Sequence, residues 1–497
     1  MIYLALFVAG SLSALALAPF NITPVLIAAL AFLFLQLKTA SVGKSFVETY
    51  VFSLGYFVFG LYWIGNALLV EGNPYKWVWP LSVIGLPVLL SFFPALGGAL
   101  FAFLKRDNAP WKNIISFAVA FMLMDVARGT LFTGFPWNLW GHAWSGILPI
   151  LQTLSIWGVY GLSLYTLVIA AYIATLAQGA TLHTWKTKIP GFSLLLVILL
   201  VPYGWGAWRL AVNPTELSDK TIRIVQPNIP QHEKWDSRLI PDHFLKLLTL
   251  SQGDEDYIVW PESAFPAFFL DVTPAVNDWR KSIKPQQTVL SGTLRGEDDI
   301  YFNSLAAING NSEIINLYNK SHLVPFGEYI PFQKYIPLAP IARFSGFETG
   351  NGAITQKAGD LLYSSLVCYE IIFTGQVVNK KQAQPDVLIN VTNDAWYGVS
   401  PGPFQHWQQG VYRAIEEGIP VIRSANTGIS GIIDSYGRPL LRTSLHTQEA
   451  VTSKLPKKPV KSTVYSRVYY LPLIVLGLIW IVGIAGWSAI LLRGSKA

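Results

Sequence analysis

The stretch Ser364-Ser365-Leu366-Val367-Cys368-Tyr369-Glu370 joins a short β-prone run to a reactive side chain placed directly after it. In α/β folds, functional groups gather at the carboxyl ends of parallel strands. Cys368 is the only cysteine of the chain, which excludes an intramolecular disulfide and zinc sites built on cysteine pairs. A buried cysteine is more often inert packing than a nucleophile. The stretch therefore predicts a strand followed by a turn that carries a candidate nucleophile.

The residues around this stretch, from about 212 to 465, show short β-prone runs separated by polar turns. Helical patterns at 241–252 and 405–418 interrupt these runs. Alternating strands and helices predict α/β layering, and about 250 residues are enough to bury a core. The predicted strands are 222–226, 257–260, 288–292, 304–308, 314–318, 364–368, 387–391, 421–424 and 431–434. No P-loop or dinucleotide-binding glycine pattern occurs, so we expect no nucleotide cofactor.

The composition of the rest of the chain indicates a membrane protein. Of the 497 residues, 52% are hydrophobic and only 13% are charged, whereas about 25% are charged in an average soluble domain. Long apolar runs lie before position 212 or at the end of the sequence, and nearly all acidic residues lie between them. The net charge of +7 comes without a stripe of Lys and Arg interleaved with aromatics, so we expect no nucleic-acid binding.

Eight apolar runs approach the length of about 20 residues that a spanning helix needs. They are 2–18, 22–37, 46–70, 79–104, 112–130, 147–178, 189–208 and 469–492. Short cytoplasmic loops collect basic residues, and here alternate loops carry them, with Lys76 as the exception. The basic residues are Lys38, Lys44, Lys105, Arg106, Lys112, Lys186 and Lys188. This pattern predicts cytoplasmic termini and places residues 212–465 outside the cytoplasm.

Two features of the membrane part have alternative interpretations. Residues 14–18 contain sequences that resemble signal-peptidase sites, but no basic region precedes the first run, which favours an uncleaved helix. Asp125 and Arg128 are three residues apart on a predicted span and should share a helix face. They form either an ion pair that holds helices together or a contact with a lipid phosphate.

Two further motifs add candidate reactive groups to Cys368. Glu262 lies in Trp260-Pro261-Glu262-Ser263, and Lys320 lies in the stretch 319–328 (NKSHLVPFGE). Each follows a predicted strand directly, so both could meet Cys368 at one sheet edge. A thiol needs a base to become a nucleophile, and the adduct needs a positive group for its oxyanion. Taken singly, Glu262 is more commonly a turn carboxylate, Lys320 a solvated lysine and Cys368 an inert cysteine. Together the three residues supply a base, a positive group for the oxyanion and a nucleophile.

At this point the sequence resembles the nitrilase superfamily and, within it, the apolipoprotein N-acyltransferase family. The matching stretches are 129–137 (GTLFTGFPW), 225–235 (VQPNIPQHEKW), 260–266 (WPESAFP), 318–331 (YNKSHLVPFGEYIP), 367–370 (VCYE) and 390–398 (NVTNDAWYG). The resemblance implies a multi-domain fold, with a polytopic bundle of about eight transmembrane helices and an α/β nitrilase-like αββα sandwich. We expect the bundle in 1–211, the catalytic domain in 212–465 and a last helix in 466–497.

The resemblance also implies roles for individual residues. Glu262 matches the general base of the family, Lys320 its oxyanion-stabilising lysine and Cys368 its nucleophile. Four supporting residues match positions near that site: Glu328, Tyr369, Glu370 and Trp235. Alternatively, Trp235 is core packing, and Tyr369 and Glu370 only position the turn. The apolar, proline-broken stretch 329–347 is expected to be either a mobile arm that dips into the outer leaflet or an ordinary surface loop.

The family implies transfer of an acyl chain from a phospholipid to the α-amino group of diacylglyceryl apolipoproteins in the bacterial inner membrane. Phosphatidylethanolamine is the expected donor, and no metal or other cofactor is expected. A membrane-tethered amidase or nitrilase that acts on a small amide or nitrile would use the same three residues. A non-catalytic binding or transport protein is a third possibility, and it predicts that Cys368→Ala changes nothing. Few intramembrane charges and no repeated halves speak against a transporter.

Overall fold

The chain divides into two compact units. The computed structural model describes residues 1–107, 109–178, 185–265, 273–297, 300–331, 346–469 and 471–494. One unit, the helical unit, comprises Met1–Tyr62, Leu81–Asn213 and Thr463–Ala497. The other, the sheet unit, comprises Trp63–Pro80 and Pro214–Ser462. The segment Trp63–Pro80 thus belongs to the sheet unit, although apolar runs flank it in sequence.

The helical unit is built of apolar helices. Its longer helices are α1 (Ile2–Ser13), α2 (Thr23–Thr39), α3 (Val42–Leu61), α5 (Trp79–Leu90), α6 (Phe92–Leu104), α7 (Pro110–Thr130), α9 (Leu154–Ala177), α10 (Trp185–Val212) and α15 (Leu471–Gly494). Two short helices are α8 (Leu148–Leu151) and α14 (Val464–Val468). Interlocking aromatic rings fill part of its interior, where Phe34, Phe101 and Phe117 contact one another.

Apolar helices long enough to span a bilayer confirm the predicted membrane bundle. Among the described residues there are five: Val42–Leu69, Lys76–Leu104, Pro110–Thr133, Leu154–Ala177 and Lys188–Val212. Three shorter apolar helices, Ile2–Ala16, Thr23–Thr39 and Leu471–Val482, coincide with the other three predicted runs. The total of eight spans, the orientation and the predicted domain boundaries stay predictions.

Asp125 and Arg128 form a buried ion pair inside the helical unit. Their side chains are 2% and 1% exposed, and Arg128 Nη2 lies 3.3 Å from Asp125 Oδ1. Arg128 Nη1 also donates to the carbonyl oxygens of Phe135 and Trp137, both at 2.7 Å. Asp125 Oδ2 accepts from Ser163 Oγ at 2.9 Å. The pair therefore ties α7 to the following loop and to α9, which favours the ion-pair interpretation over a lipid contact.

Within its described residues, the sheet unit contains two six-stranded sheets. The first has the order β12-β1-β2-β3-β4-β5 and the second the order β11-β10-β9-β8-β7-β6. The strands are β1 (Leu217–Gln226), β2 (Tyr257–Phe265), β3 (Thr288–Glu297), β4 (Ile300–Asn309), β5 (Ile314–Asn319), β6 (Thr355–Ala358), β7 (Leu361–Val367), β8 (Val387–Thr392), β9 (Val421–Ala425), β10 (Gly431–Ile433), β11 (Pro439–Arg442) and β12 (Glu449–Pro456). β1, β2 and β3 are parallel, as are β7, β8 and β9.

Helices cover the outer faces of the two sheets. The sheets pack on each other through β1, β2, β8 and β9. Helices α11 (Ile240–Leu250) and α12 (Thr273–Ser282) bury Leu247 and Trp279 against Trp260 and Ile258 of the first sheet. Helix α13 (Gly402–Glu417) packs on β9 and β10 of the second sheet. These four layers confirm the predicted αββα sandwich; the short helix α4 (Asn66–Leu69) completes the unit.

Candidate active site

The three candidate reactive residues come from both sheets of the sandwich. Glu262 lies in β2, Lys320 directly follows β5, and Cys368 directly follows β7. The sequence predicts that each residue directly follows its strand, but Glu262 lies within one. Strand β2 continues to Phe265 across an irregularity in its pairing with β3. Ser263, within this irregularity, has a φ of 44°, a left-handed conformation that turns the chain beside Glu262.

Glu262 is held by donors from two directions. Its Oε1 accepts from Asn303 Nδ2 at 2.7 Å, and its Oε2 accepts from the backbone N–H of Asn393 at 2.9 Å. The backbone of Gly292 lies so close that a Cβ there would fall 2.4 Å from Glu262 Cα, which explains a glycine at this place in β3. Glu262 is only 7% exposed, so its carboxylate has a fixed position in a nearly dry site.

Lys320 lies between two carboxylates. Its Nζ is 2.8 Å from Glu328 Oε2 and 3.9 Å from Glu262 Oε1. The ammonium is 1% exposed. Burial by itself lowers the pKa of Lys320, but the charges of Glu328 and Glu262 outweigh burial and raise this pKa above its ordinary value. Lys320 is therefore a permanent cation of the site.

Cys368 is buried at the start of a tight turn. It is 6% exposed and has a φ of 52°, in the left-handed region that a non-glycine residue adopts only when its surroundings enforce it. Burial and then the charge of Glu262 raise the pKa of the Cys368 thiol to about 12, while Lys320 acts in the opposite direction. Glu262, Lys320 and Cys368 are thus electrostatically coupled, and the resting sulfur is a neutral thiol.

We expect alkylation of Cys368 by iodoacetamide to increase with pH beyond pH 9 without a plateau. The thiolate is the reacting form, so the rate should rise roughly tenfold per pH unit below the raised pKa of about 12. The measurement is the alkylation rate of the folded protein between pH 7 and pH 10, for which the absence of another cysteine makes the label specific. The same chain unfolded in guanidinium is the control and should reach its plateau near the ordinary thiol pKa. A plateau below pH 9 in the folded protein would contradict the assignment of a neutral resting thiol.

Glu370 joins the turn of Cys368 to the turn of Lys320. Its Oε2 accepts from the backbone N–H of Val367 at 2.7 Å. Its Oε1 accepts from the Tyr318 hydroxyl at 2.6 Å and from the backbone N–H of Ser321 at 2.7 Å. Burial raises the pKa of Glu370, and these hydrogen bonds oppose the shift. This geometry supports the interpretation that Glu370 positions the turns and does not act on substrate.

Glu328, Tyr369 and Trp235 lie in different surroundings. Glu328 accepts from Lys320 Nζ and also from Asn303 Nδ2 at 2.8 Å, so it belongs to the charged cluster. Tyr369 is 5% exposed and packs edge-on against Phe373, with ring centroids 5.0 Å apart. Trp235 is partly buried against an apolar cluster of Leu294, Leu323 and Phe347. The predicted arm at 329–347 falls largely on 332–345, which lie outside the described residues.

The structure adds three residues that the motifs did not single out: Asn303, Asn393 and Lys234. Asn303 donates to both Glu262 and Glu328 through its Nδ2 and so links the two carboxylates. Asn393 supplies the N–H on Glu262 Oε2, and its side chain donates to Gln231 at 2.7 Å. Lys234 is 2% exposed and donates to the carbonyl oxygen of Glu262 at 2.9 Å. Burial lowers the pKa of Lys234 to about 8, although Glu262 and Cys368 act to raise it. Lys234 lies in the family motif 225–235 and Asn393 in the family motif 390–398, so these motifs could have indicated both residues.

Comparisons with known proteins agree with both units. Residues 9–172 match the apolipoprotein N-acyltransferase N-terminal domain, and residues 221–464 match the carbon-nitrogen hydrolase domain. An apolipoprotein N-acyltransferase of Rhodopseudomonas palustris is 35% identical over 94% of this chain and 92% of its own length. One from Brucella melitensis is 37% identical over 82% of this chain and 78% of its own length. The chain belongs to the apolipoprotein N-acyltransferase family.

Solved structures show a distant similarity to about half of the chain. A CN-hydrolase superfamily protein from Xanthomonas campestris has 18% identity and a TM-score of 0.37, covering 52% of this chain and 97% of its own. An amidase from Nesterenkonia has 17% identity and a TM-score of 0.33, covering 49% of this chain and 92% of its own. Membership of the apolipoprotein N-acyltransferase family makes the protein a bacterial membrane acyltransferase of lipoprotein maturation.

Proposed function

We propose that the protein transfers an acyl chain from a phospholipid to the α-amino group of a diacylglyceryl-cysteine apolipoprotein through a thioester on Cys368. Phosphatidylethanolamine is the proposed donor. The observation that carries the proposal is the coupling of one buried thiol to a fixed carboxylate and a permanent cation, Glu262 and Lys320, which lie 3.9 Å apart. Nucleophilic acyl transfer needs this set: a nucleophile, a base and a positive group at the oxyanion.

The first half-reaction forms the thioester. Glu262 takes the thiol proton as Cys368 Sγ attacks the ester carbonyl carbon of the phospholipid. Lys320 and a backbone N–H near Tyr369 stabilise the oxyanion of the tetrahedral intermediate. The ester C–O bond then breaks, the proton passes from Glu262 to the departing oxygen, and a lysophospholipid leaves. The raised thiol pKa fits this order, because the thiolate forms only as the carbonyl carbon is attacked.

The second half-reaction forms the amide. The neutral α-amine attacks the thioester carbonyl carbon, the C–S bond breaks, and the amine proton returns through Glu262 to the sulfur. Because a thioester retains the acyl-transfer potential of the ester, the sequence of steps needs no nucleotide. Water would hydrolyse the intermediate, which makes the low exposure of Glu262, Lys320 and Cys368 useful to the transferase.

We place this chemistry outside the cytoplasm. The alternation of basic loops puts residues 212–465 on the periplasmic side of the inner membrane and both termini in the cytoplasm. The proposed division of the chain keeps a bundle in 1–211, the catalytic domain in 212–465 and a last helix in 466–497. The segment Trp63–Pro80, which this division assigns to the bundle, belongs to the sheet unit.

The deciding experiment detects the acyl-enzyme and follows its fate. Detergent-purified protein is incubated with phosphatidylethanolamine labelled in its acyl chains, and the peptide that contains Cys368 is analysed by mass spectrometry, with Cys368→Ala as control. We expect hydroxylamine-labile label on Cys368 that moves to the amine of an added diacylglyceryl-cysteine peptide. Label that passes only to water would support a hydrolase instead. Absence of any adduct from phosphatidylethanolamine or other phospholipids would refute the thioester mechanism.

A further inference from the structure

Four buried polar side chains lie behind the turn of Cys368, and we call them the Cys368 clamp: Asn390, Asp394, His406 and Arg423. Each is at most 1% exposed. Asn390 lies on β8 and Arg423 opposite it on β9, while Asp394 follows β8 and His406 lies on α13. None of the four has a role in the mechanism above.

Two members of the clamp bind the carbonyl oxygen of Cys368. His406 Nε2 lies 3.2 Å from this oxygen, and Asn390 Nδ2 lies 3.3 Å from it. A carbonyl oxygen only accepts hydrogen bonds, so His406 Nε2 carries a proton. The peptide group that leaves Cys368 is therefore fixed by two donors from different elements.

The other two members orient these donors. Arg423 Nη1 donates to Asn390 Oδ1, which directs the amide nitrogen of Asn390 towards Cys368. Arg423 Nη2 lies 2.9 Å from His406 Nδ1 and 2.9 Å from Asp394 Oδ2. His406 Nδ1 also lies 2.9 Å from Asp394 Oδ1, so imidazole, carboxylate and guanidinium contact one another. Burial and the charge of Arg423 lower the pKa of His406, while Asp394 and the carbonyl oxygen of Cys368 act in the opposite direction.

Burial of these four polar side chains is unfavourable for stability, which indicates a functional reason for it. A buried ion pair with its hydrogen-bonding neighbours often contributes less stability than well-packed apolar side chains would. Here the network ends on the carbonyl group of Cys368, the residue that has the left-handed φ of 52°. The backbone conformation at Cys368 determines the directions of both the Cys368 sulfur and the backbone N–H of Tyr369.

We propose that the Cys368 clamp consists of positioning residues for acyl transfer, which hold the nucleophile turn in its left-handed conformation through the Cys368 carbonyl oxygen. The inference rests on the proposed thioester chemistry. It predicts that the clamp acts on the acylation step and leaves phospholipid binding unchanged, because its residues are at most 1% exposed and contact Cys368 through its carbonyl oxygen.

The test compares variants at His406 with a matched control on the same helix. His406→Leu removes the donor, whereas His406→Gln retains an amide that can donate to the carbonyl oxygen. Glu417→Gln is the control, because Glu417 is 1% exposed and burial raises its pKa to about 8, so that it is already mainly neutral at pH 7. Its charged neighbours are Glu416, Arg413 and Lys380 rather than residues of the clamp.

For His406→Leu we expect the single-turnover acylation rate with labelled phosphatidylethanolamine to fall about 10- to 100-fold, the effect of a misplaced reacting group. The KM for phospholipid should stay unchanged, His406→Gln should recover most of the rate, and Glu417→Gln should match the native protein. If His406→Leu does not fold, Asn390→Asp takes its place, since it keeps the oxygen towards Arg423 and puts a second oxygen against the carbonyl group. Acylation within about threefold of native in folded His406→Leu or Asn390→Asp, or an equal loss in Glu417→Gln, would overturn the inference.

Iodoacetamide separates failure of the clamp from failure of the proposed function. If the native protein forms no acyl-enzyme, the thioester mechanism fails while the clamp is still tested by alkylation of Cys368. The clamp predicts that His406→Leu shifts the pH dependence of the alkylation rate and that Glu417→Gln does not. Identical alkylation profiles in all variants would overturn the clamp by itself.

Discussion

Replacing Cys368 by Ser should reduce acyl transfer by about 10³-fold or more, the largest loss that we expect from exchanging one atom. A serine hydroxyl is a far weaker acid than a thiol, so the carboxylate of Glu262 removes its proton much less readily. The fold should be retained, because Ser is similar in size and the turn is fixed by Glu370 and by hydrogen bonds to its backbone. The measurement is transfer of labelled acyl chain to a diacylglyceryl-cysteine peptide, together with thermal unfolding in the same detergent.

The chemistry of any residual adduct provides the control for this variant. A serine acyl-enzyme would be an oxygen ester, which resists the mild hydroxylamine treatment that cleaves a thioester. Cys368→Ala should form no adduct at all and have a similar melting temperature. Retention of more than about a tenth of native transfer by Cys368→Ser would mean that sulfur is not the attacking atom.

The overall architecture could be predicted from the sequence because its signals are local. Lengths of apolar runs indicate membrane helices, and β-prone runs between turns indicate strands. All nine predicted strands coincide with observed ones, but the pattern missed three others, β6, β11 and β12. All three pair antiparallel at an edge of their sheets, and β6 and β12 have mixed polar sequences, since one face is exposed. Alternation of this kind is hard to distinguish from loop sequence.

The reactive residues of the candidate site could be predicted from the sequence, but the hydrogen bonds that connect them could not. The motifs indicate Glu262, Lys320 and Cys368 because these residue types are reactive. Nothing local indicates that Asn303 bridges Glu262 and Glu328, since that contact depends on the register of β3 against β4. Hydropathy also does not indicate that Trp63–Pro80 belongs to the sheet unit, because it assigns 63–70 to the apolar run 46–70 and 79–80 to the next run.

Replacing Lys320 by Met should lower the acylation rate about 10³-fold, the upper end of the effect of removing one oxyanion donor. A second cause adds to the loss. Without the ammonium, Glu262 and Glu328 remain as two carboxylates linked through Asn303 Nδ2, at 2.7 and 2.8 Å. Two such carboxylates cannot both stay ionised at little cost, so one takes up a proton and the base is weakened. The unfolding free energy should fall by about 3 kcal/mol, because a buried charge has lost its partner.

The double variant Lys320→Met/Glu328→Gln separates these two causes. It removes one carboxylate together with the cation, and the single amide oxygen of Gln at 328 can still accept from Asn303 Nδ2, the donor that links the two acidic side chains. We expect the double variant to recover most of the lost melting temperature and to remain about 10²-fold or more below native in acylation, because no cation faces the oxyanion. Measurement of acyl-enzyme formation by rapid quench and mass spectrometry decides between the two roles. Recovery of the native rate would mean that Lys320 serves only to neutralise Glu328, and the oxyanion would then depend on backbone N–H groups alone.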